Sequence, residues 1–175
     1  MKLEYRRAEN KDIEAVIRLV ESAYRGEASR QGWTTEADLL DGGRTFTEEV
    51  SGIIATADNK IILVEEAGNL LASVHIKKLA NGRAYLGMFA VAPTEQNRGI
   101  GKSLLNYVEK LAVTEWQCQV IEMTVIRQRP ELIAWYKKQG YRITGEEREF
   151  PYGDERYGIP KRNDLLLEVL VKTIQ

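Results

Sequence analysis

Gln96, Gly99 and Gly101 stand where a strand-like run, Gly87-Met88-Phe89-Ala90-Val91, gives way to a helical one. A helix start leaves backbone N–H groups unpaired and carries the positive end of the helix dipole. Glycines there let a ligand approach the backbone, so Asn97, Arg98, Gly99, Ile100, Gly101 and Lys102 can cradle a phosphate or pyrophosphate. A plain strand–loop–helix connection would read the same way. Two other phosphate folds fit poorly. Gly101-Lys102-Ser103 matches the end of a P-loop, but the first glycine of that motif would fall at Gln96. A dinucleotide fingerprint would need a third glycine at Leu104 and parallel βαβ units. Cys118, beside Val120 and Ile121, reads as a small buried residue and not as a nucleophile.

The elements that must position this turn follow from periodicity. Residues 3–7 read as a strand, and Asn10 fits an N-cap before Ile13, Val16, Ile17, Val20 and Tyr24 at helical spacing. A second short helix is expected from Thr34 or Thr35, with Glu36 in its first turn, and a third from Thr47. Residues 61–65 and 70–79 flank a turn at Ala67-Gly68-Asn69, and Asn81-Gly82 leads into residues 84–91, giving three antiparallel strands. A long helix follows over about 99–114, then a strand over 120–126. Pro130 suits the start of another helix and Gly140 its C-cap, with last strands at 141–145 and 165–171. No linker or repeat divides the chain, so residues 1–175 are expected to form one mixed α/β domain.

Composition narrows the function. Lys and Arg total 25 against 26 Asp and Glu, with no basic block, which argues against a nucleic-acid partner. One cysteine permits no internal disulfide and gives secretion no support. The start, MKLEYRRAEN, has no apolar stretch of signal-peptide length, and no run is long enough to span a bilayer. The reading is a cytoplasmic protein with no membrane partner.

Gln96-x-x-Gly99-x-Gly101, the preceding strand 87–91, the following Leu104-Leu105 and the segment Leu132-Ile133-Ala134-Trp135-Tyr136-Lys137-Lys138-Gln139-Gly140-Tyr141 together resemble the GNAT N-acetyltransferases, over essentially the whole chain. The resemblance implies an α+β fold with a mixed, mostly antiparallel sheet of six to seven strands flanked by helices on both faces. It implies transfer of acetyl from acetyl-coenzyme A to an amine, with no metal. The amides of Asn97 to Lys102 would wrap the coenzyme pyrophosphate, beside Gln96. Phe89, Ala90 and Val91 would line the pantetheine arm, with backbone groups of Phe89 and Val91 offered to it. A bulge near Met88 would splay the central strands. The same fold also serves non-catalytic coenzyme A sensors or partner-binding modules, and its exposed edge strands allow a homodimer.

Acetyl transfer needs a deprotonated amine, a donor for the developing oxyanion and a proton for the leaving thiolate. The resemblance assigns the last role to Tyr136. For the base, Glu122 alternates with Ile121, Met123 and Val125 and so points away from them; a solvated residue would show the same pattern. His75 is the other candidate, or a hydrogen-bonded strand residue. Arg129 stands where related sequences often carry Asn, seven positions before Tyr136. For the acceptor, Trp33 could wall a pocket and Glu36 could pair with a cationic amine; a loop core and a helix N-terminus are the plainer readings. The mix of acids and aromatics leans towards a small amine, an amino acid or a polyamine.

Overall fold

The computed structural model describes residues 2–174. The chain runs through β1 (Glu4–Arg7), α1 (Ile13–Tyr24), β2 (Leu40–Asp41), α2 (Thr47–Ala55), β3 (Asn59–Glu66), β4 (Asn69–Lys78) and β5 (Arg83–Val91). It continues through α3 (Ile100–Trp116), β6 (Val120–Ile126), α4 (Pro130–Lys138), β7 (Arg142–Glu149), β8 (Ile159–Pro160) and β9 (Leu166–Thr173). Seven strands form one sheet in the order β1-β3-β4-β5-β6-β9-β7, and β2 pairs with β8 apart from it. Every pair in the large sheet is antiparallel except β5 with β6.

Local chemistry explains the connections. Ala67 and Gly68 (φ 51 and 80°) turn β3 into β4, and Asn81 and Gly82 (φ 59 and 71°) turn β4 into β5. Two successive left-handed residues match the twist of the flanking strands, and Asn and Gly reach that region most easily. The apolar stripe of α1, with Val16, Val20 and Ala23, packs with Val50 of α2 on one face of the sheet. Leu104, Leu105, Val108 and Ala112 of α3, with Leu132 and Ile133 of α4, cover the other. Two layers of helix therefore bury a central sheet, as expected from the sequence.

The helix expected from Thr34 or Thr35 is absent. A short 3₁₀ turn lies earlier, at Glu27–Gln31, and the chain then turns at Glu36, whose carbonyl accepts from the Leu39 and Leu40 amides. The Thr35 hydroxyl bonds Ser29 Oγ at 2.5 Å and accepts from the Ala37 amide at 3.1 Å. Such side-chain bonds offer the backbone an alternative to a helix. β7 also reaches Glu149, further than the sequence pattern indicated.

The feature that opens the molecule is a bulge in β5. Met88 has φ 46°, and two residues, Met88 and Phe89, oppose Val74 alone, between the pairs His75–Gly87 and Ser73–Ala90. One inserted residue flips every later side chain to the other face. Ala84 and Leu86 accordingly join the core under α3 and α4, whereas Met88 and Ala90 join the core under α1 and α2. β5 pairs with β6 only at Arg83–Val120, Ala84–Ile121 and Tyr85–Glu122. Beyond Tyr85 the two strands part.

Candidate active site

Two cavities meet at the parting of β5 and β6. One, about 520 Å³, is bounded by Phe89 and Val91, by Gln96, Asn97, Gly99, Ile100, Gly101 and Lys102, and by Trp135 and Tyr136 of α4. The other, about 390 Å³, lies between Tyr85 to Phe89 and Met123 to Ile126, under Tyr24, Arg25, Glu36, Arg44, Glu49 and Tyr157. Tyr24, Phe89, Leu132 and Tyr136 line both.

The first cavity carries the anion-binding turn. Gly99 is the left-handed N-cap of α3 (φ 79°, ψ 6°), and Asn97 is left-handed too (φ 70°). The first amide here to meet a protein acceptor is that of Ser103, bonded to the Gly99 carbonyl at 3.0 Å. Those of Asn97 to Lys102 are without one among the described residues, a row of donors suited to a diphosphate. Gly101 stands against Phe89: a Cβ there would lie 3.4 Å from its ring. The Gln96 amide braces the turn, donating to the Val91 carbonyl (3.0 Å) and Thr34 Oγ1 (2.7 Å) and accepting from the Trp33 N–H (2.8 Å). Its role is to hold the loop, with the Trp33 ring close to Trp135 on this side (6.2 Å).

On the edge of β5 facing away from β4, the Phe89 carbonyl accepts from the Tyr24 hydroxyl and the Val91 carbonyl from Gln96. In an antiparallel strand the N–H and C=O of one residue point the same way, so the Phe89 and Val91 amides face the gap as well. Tyr136 is buried between them and α4, edge-on to Phe89 at 6.3 Å and to Tyr141 at 5.9 Å. Its hydroxyl makes no hydrogen bond to another described residue. Burial, with Tyr24 nearby, holds it protonated well above the ordinary tyrosine range. Such a group can give a proton to an anion at neutral pH and cannot take one from an ammonium.

The second cavity is ringed by charge. Glu36 is buried between Arg25 and Arg129, each 3.0 Å away. Arg25 Nη1 also donates to the carbonyls of Gly43 (2.6 Å) and Tyr157 (3.0 Å), and Arg129 to that of Thr34. The triad ties α1, the turn at Glu36 and the start of α4 into one wall. Arg129 and Arg44 both lie over the Tyr24 ring, at 5.7 and 5.9 Å from its centroid.

Several residues singled out in the sequence stand elsewhere. Glu122 is buried but lines neither cavity; Arg83 (3.0 Å) and Arg148 (2.9 Å) hold its carboxylate below the usual range, against the opposing effect of burial. Its two charges of opposite sign make it a strut across β5, β6 and β7. Trp33 borders the 520 Å³ cavity and not the other. Glu36 does reach the smaller cavity, yet two guanidinium groups already neutralise it. Arg98 pairs with Glu95 and Glu66, and Ala90 is buried under α1. His75 bonds Asn59 Oδ1 at 2.7 Å, and burial lowers its pKa to about 4. Cys118 is buried, its thiol near the Arg83 carbonyl (3.5 Å) and raised by burial. Glu49 and Tyr85 carried no sequence signal; Tyr24, Arg25, Arg44 and Tyr157 lie in the stretches 24–44 and 148–164 where the family resemblance implies an acceptor, but none of them was singled out for the site.

A parallel strand pair that parts near a bulge, beside a helix start with bare amides, leaves an open groove with anion-binding donors at one end. Residues 14–141 match the model of the acetyltransferase (GNAT) family, and the chain belongs to that family of N-acetyltransferases. No curated protein matches by sequence. Among solved structures, the ribosomal-protein-S18-alanine N-acetyltransferase from Escherichia coli superposes with a TM-score of 0.72 at 14% identity, covering 99% of this chain and 95% of that one. Mutant forms of the spermidine/spermine N-acetyltransferase SpeG from Vibrio cholerae give 0.68 at 17% identity, over 99% and 95%. An N-acetyltransferase from Staphylococcus aureus Mu50 gives 0.73 at 12% identity, over 99% of each chain. These similarities concern the fold. No helix among the described residues is long and apolar enough to cross a membrane, and no cluster of three metal-ligating side chains occurs among them.

Proposed function

We propose that the protein transfers acetyl from acetyl-coenzyme A to the primary amine of a small acceptor by direct attack in a ternary complex. The observation that carries this reading is Tyr136, which borders both cavities at the point where β5 leaves β6. The donor supplies an acetyl thioester. Its diphosphate is held by the bare amides of Asn97 to Lys102, and its pantetheine arm lies along Phe89 and Val91 in place of the missing β6 partner.

The acceptor enters through the 390 Å³ cavity, a size suited to a small molecule. An N–H of β5 at the bulge meets the oxygen that gains charge, and the Tyr136 hydroxyl gives its proton to the departing sulfur. The acceptor's ammonium proton leaves on the side of Glu49, the carboxylate of that cavity without a cationic partner among the described residues. Glu122, spent on Arg83 and Arg148, takes no part. Outside the site, every residue of the edge strand β7 is exposed, and pairing of two copies there would give a homodimer.

Thiol release from acetyl-coenzyme A over a panel of amines, amino acids and peptides tests the reading. Intersecting initial-velocity lines support the ternary complex, and parallel lines would refute it. Binding of the coenzyme with no turnover on any amine would identify a sensor instead.

A further inference from the structure

The acceptor cavity has an uneven charge balance. Three guanidinium groups (Arg25, Arg44, Arg129) line it against two carboxylates (Glu36, Glu49). Glu36 is shared by Arg25 and Arg129, so those three side chains together remain positive. Arg44, half-buried, forms no side-chain ion pair among the described residues; its guanidinium lies over the face of Tyr24, and its backbone amide donates to Glu21 at 2.6 Å. Arg129 is buried and two of its nitrogens are used, but its Nε has no partner among the described residues. A buried donor without an acceptor is costly, and a site built this way discriminates strongly for a ligand that supplies the missing oxygen.

We propose that the acceptor is a free amino acid, whose carboxylate is bound by Arg44 and Arg129 while its amine faces the gap beside Tyr136. The two guanidinium groups both lie near the Tyr24 ring, at 5.9 and 5.7 Å from its centroid, and both line the cavity. Glu49 supplies the single counter-charge that an ammonium needs. A polyamine brings only positive charge into a cavity already rich in it. A peptide N-terminus has an amide where the carboxylate should be. This inference rests on the acetyl-transfer reading, and deepens it by naming the acceptor.

The test compares each of a set of L-amino acids with its amide and with the amine that lacks the carboxylate altogether. The amino acid should exceed both in kcat/KM by about tenfold to a hundredfold, the range expected for a charged hydrogen bond. Arg44→Gln should remove most of that advantage, raising KM for the amino acid about tenfold or more and shrinking the ratio of its kcat/KM to that of the two analogues. Calorimetric binding of the N-acetylated amino acid and of its methyl ester to the wild-type protein gives a readout free of turnover, and only the acid should bind. Equal or better turnover of the carboxylate-free amines would overturn the proposal, as would a preference that survives in the variant, or equal binding of acid and ester. Coenzyme A titration separates the two layers: no coenzyme binding sinks the acetyltransferase reading itself, whereas coenzyme binding with indifference to the carboxylate sinks only this inference.

Discussion

The Tyr24 hydroxyl donates a hydrogen bond to the carbonyl of Phe89, one of the two bulged residues of β5 where that strand has left β6. The last residue of α1 thus satisfies an acceptor that a neighbouring strand would otherwise take. Tyr24→Phe should cost about 1–3 kcal/mol, the penalty of an unpaired buried carbonyl. Urea unfolding of the variant measures it; an unchanged midpoint would show that water fills the place.

Tyr136→Phe separates chemistry from packing. The hydroxyl bonds no other described residue and the ring is retained, so Tm should hold while kcat falls about 100-fold, as for loss of a general acid. Because burial keeps Tyr136 protonated beyond the ordinary tyrosine range, its ionisation should impose no fall in rate between about pH 7 and 9, against an ordinary tyrosine near 10. A rate decline in that window that vanishes in the variant would contradict this role.

Glu36→Gln leaves Arg25 and Arg129 buried around a neutral partner. Removing one member of a buried ion group costs about 3–5 kcal/mol. Glu122→Gln, whose two arginines are 39% and 44% exposed, should lose less stability and should keep kcat. Chemical denaturation and steady-state rates on the same two proteins decide both statements.

His75 gives a pH signature. Its pKa falls from 6.5 to about 4 on folding, so between those values the unfolded chain binds more protons than the folded one. Stability should therefore be complete above pH 6.5 and drain away as pH drops towards 4, by at most about 1.4 kcal/mol per pH unit. His75→Gln should flatten that portion of the stability curve, read by urea titration at a series of pH values.

Gly32→Ala probes the brace on the coenzyme turn. A Cβ there would collide with the side-chain amide of Gln96, which must move and abandon its bonds to Trp33, Thr34 and Val91. KM for the coenzyme should rise about tenfold, the loss of one or two net hydrogen bonds.

The sheet and the backbone of the turn before α3 were legible because their signals are local. Asn81-Gly82, Pro130, Gly140 and the Gln96–Gly101 turn each state their conformation within a few residues. The wall of the 390 Å³ cavity was not. Arg25 and Glu36 lie eleven residues apart and Arg129 ninety-three beyond Glu36, and no periodicity links them. The helix expected at Thr35 lost to the Thr35 hydroxyl, which bonds Ser29 and the Ala37 amide instead. Glu122 alternated as a solvent-facing residue should, but Arg83 from adjacent β5 and Arg148 from β7, two strands away, cover it.

The strand order has one more result. β9, the last strand along the chain, lies between β6 and β7, which precede it. A truncation ahead of Leu166 would strip both of them of their shared neighbour, and would remove Leu167 from the wall of the 390 Å³ cavity. Trimming as many residues from the opposite terminus would remove an outermost strand that pairs with β3 alone, together with the Tyr5 ring stacked on Tyr107 of α3.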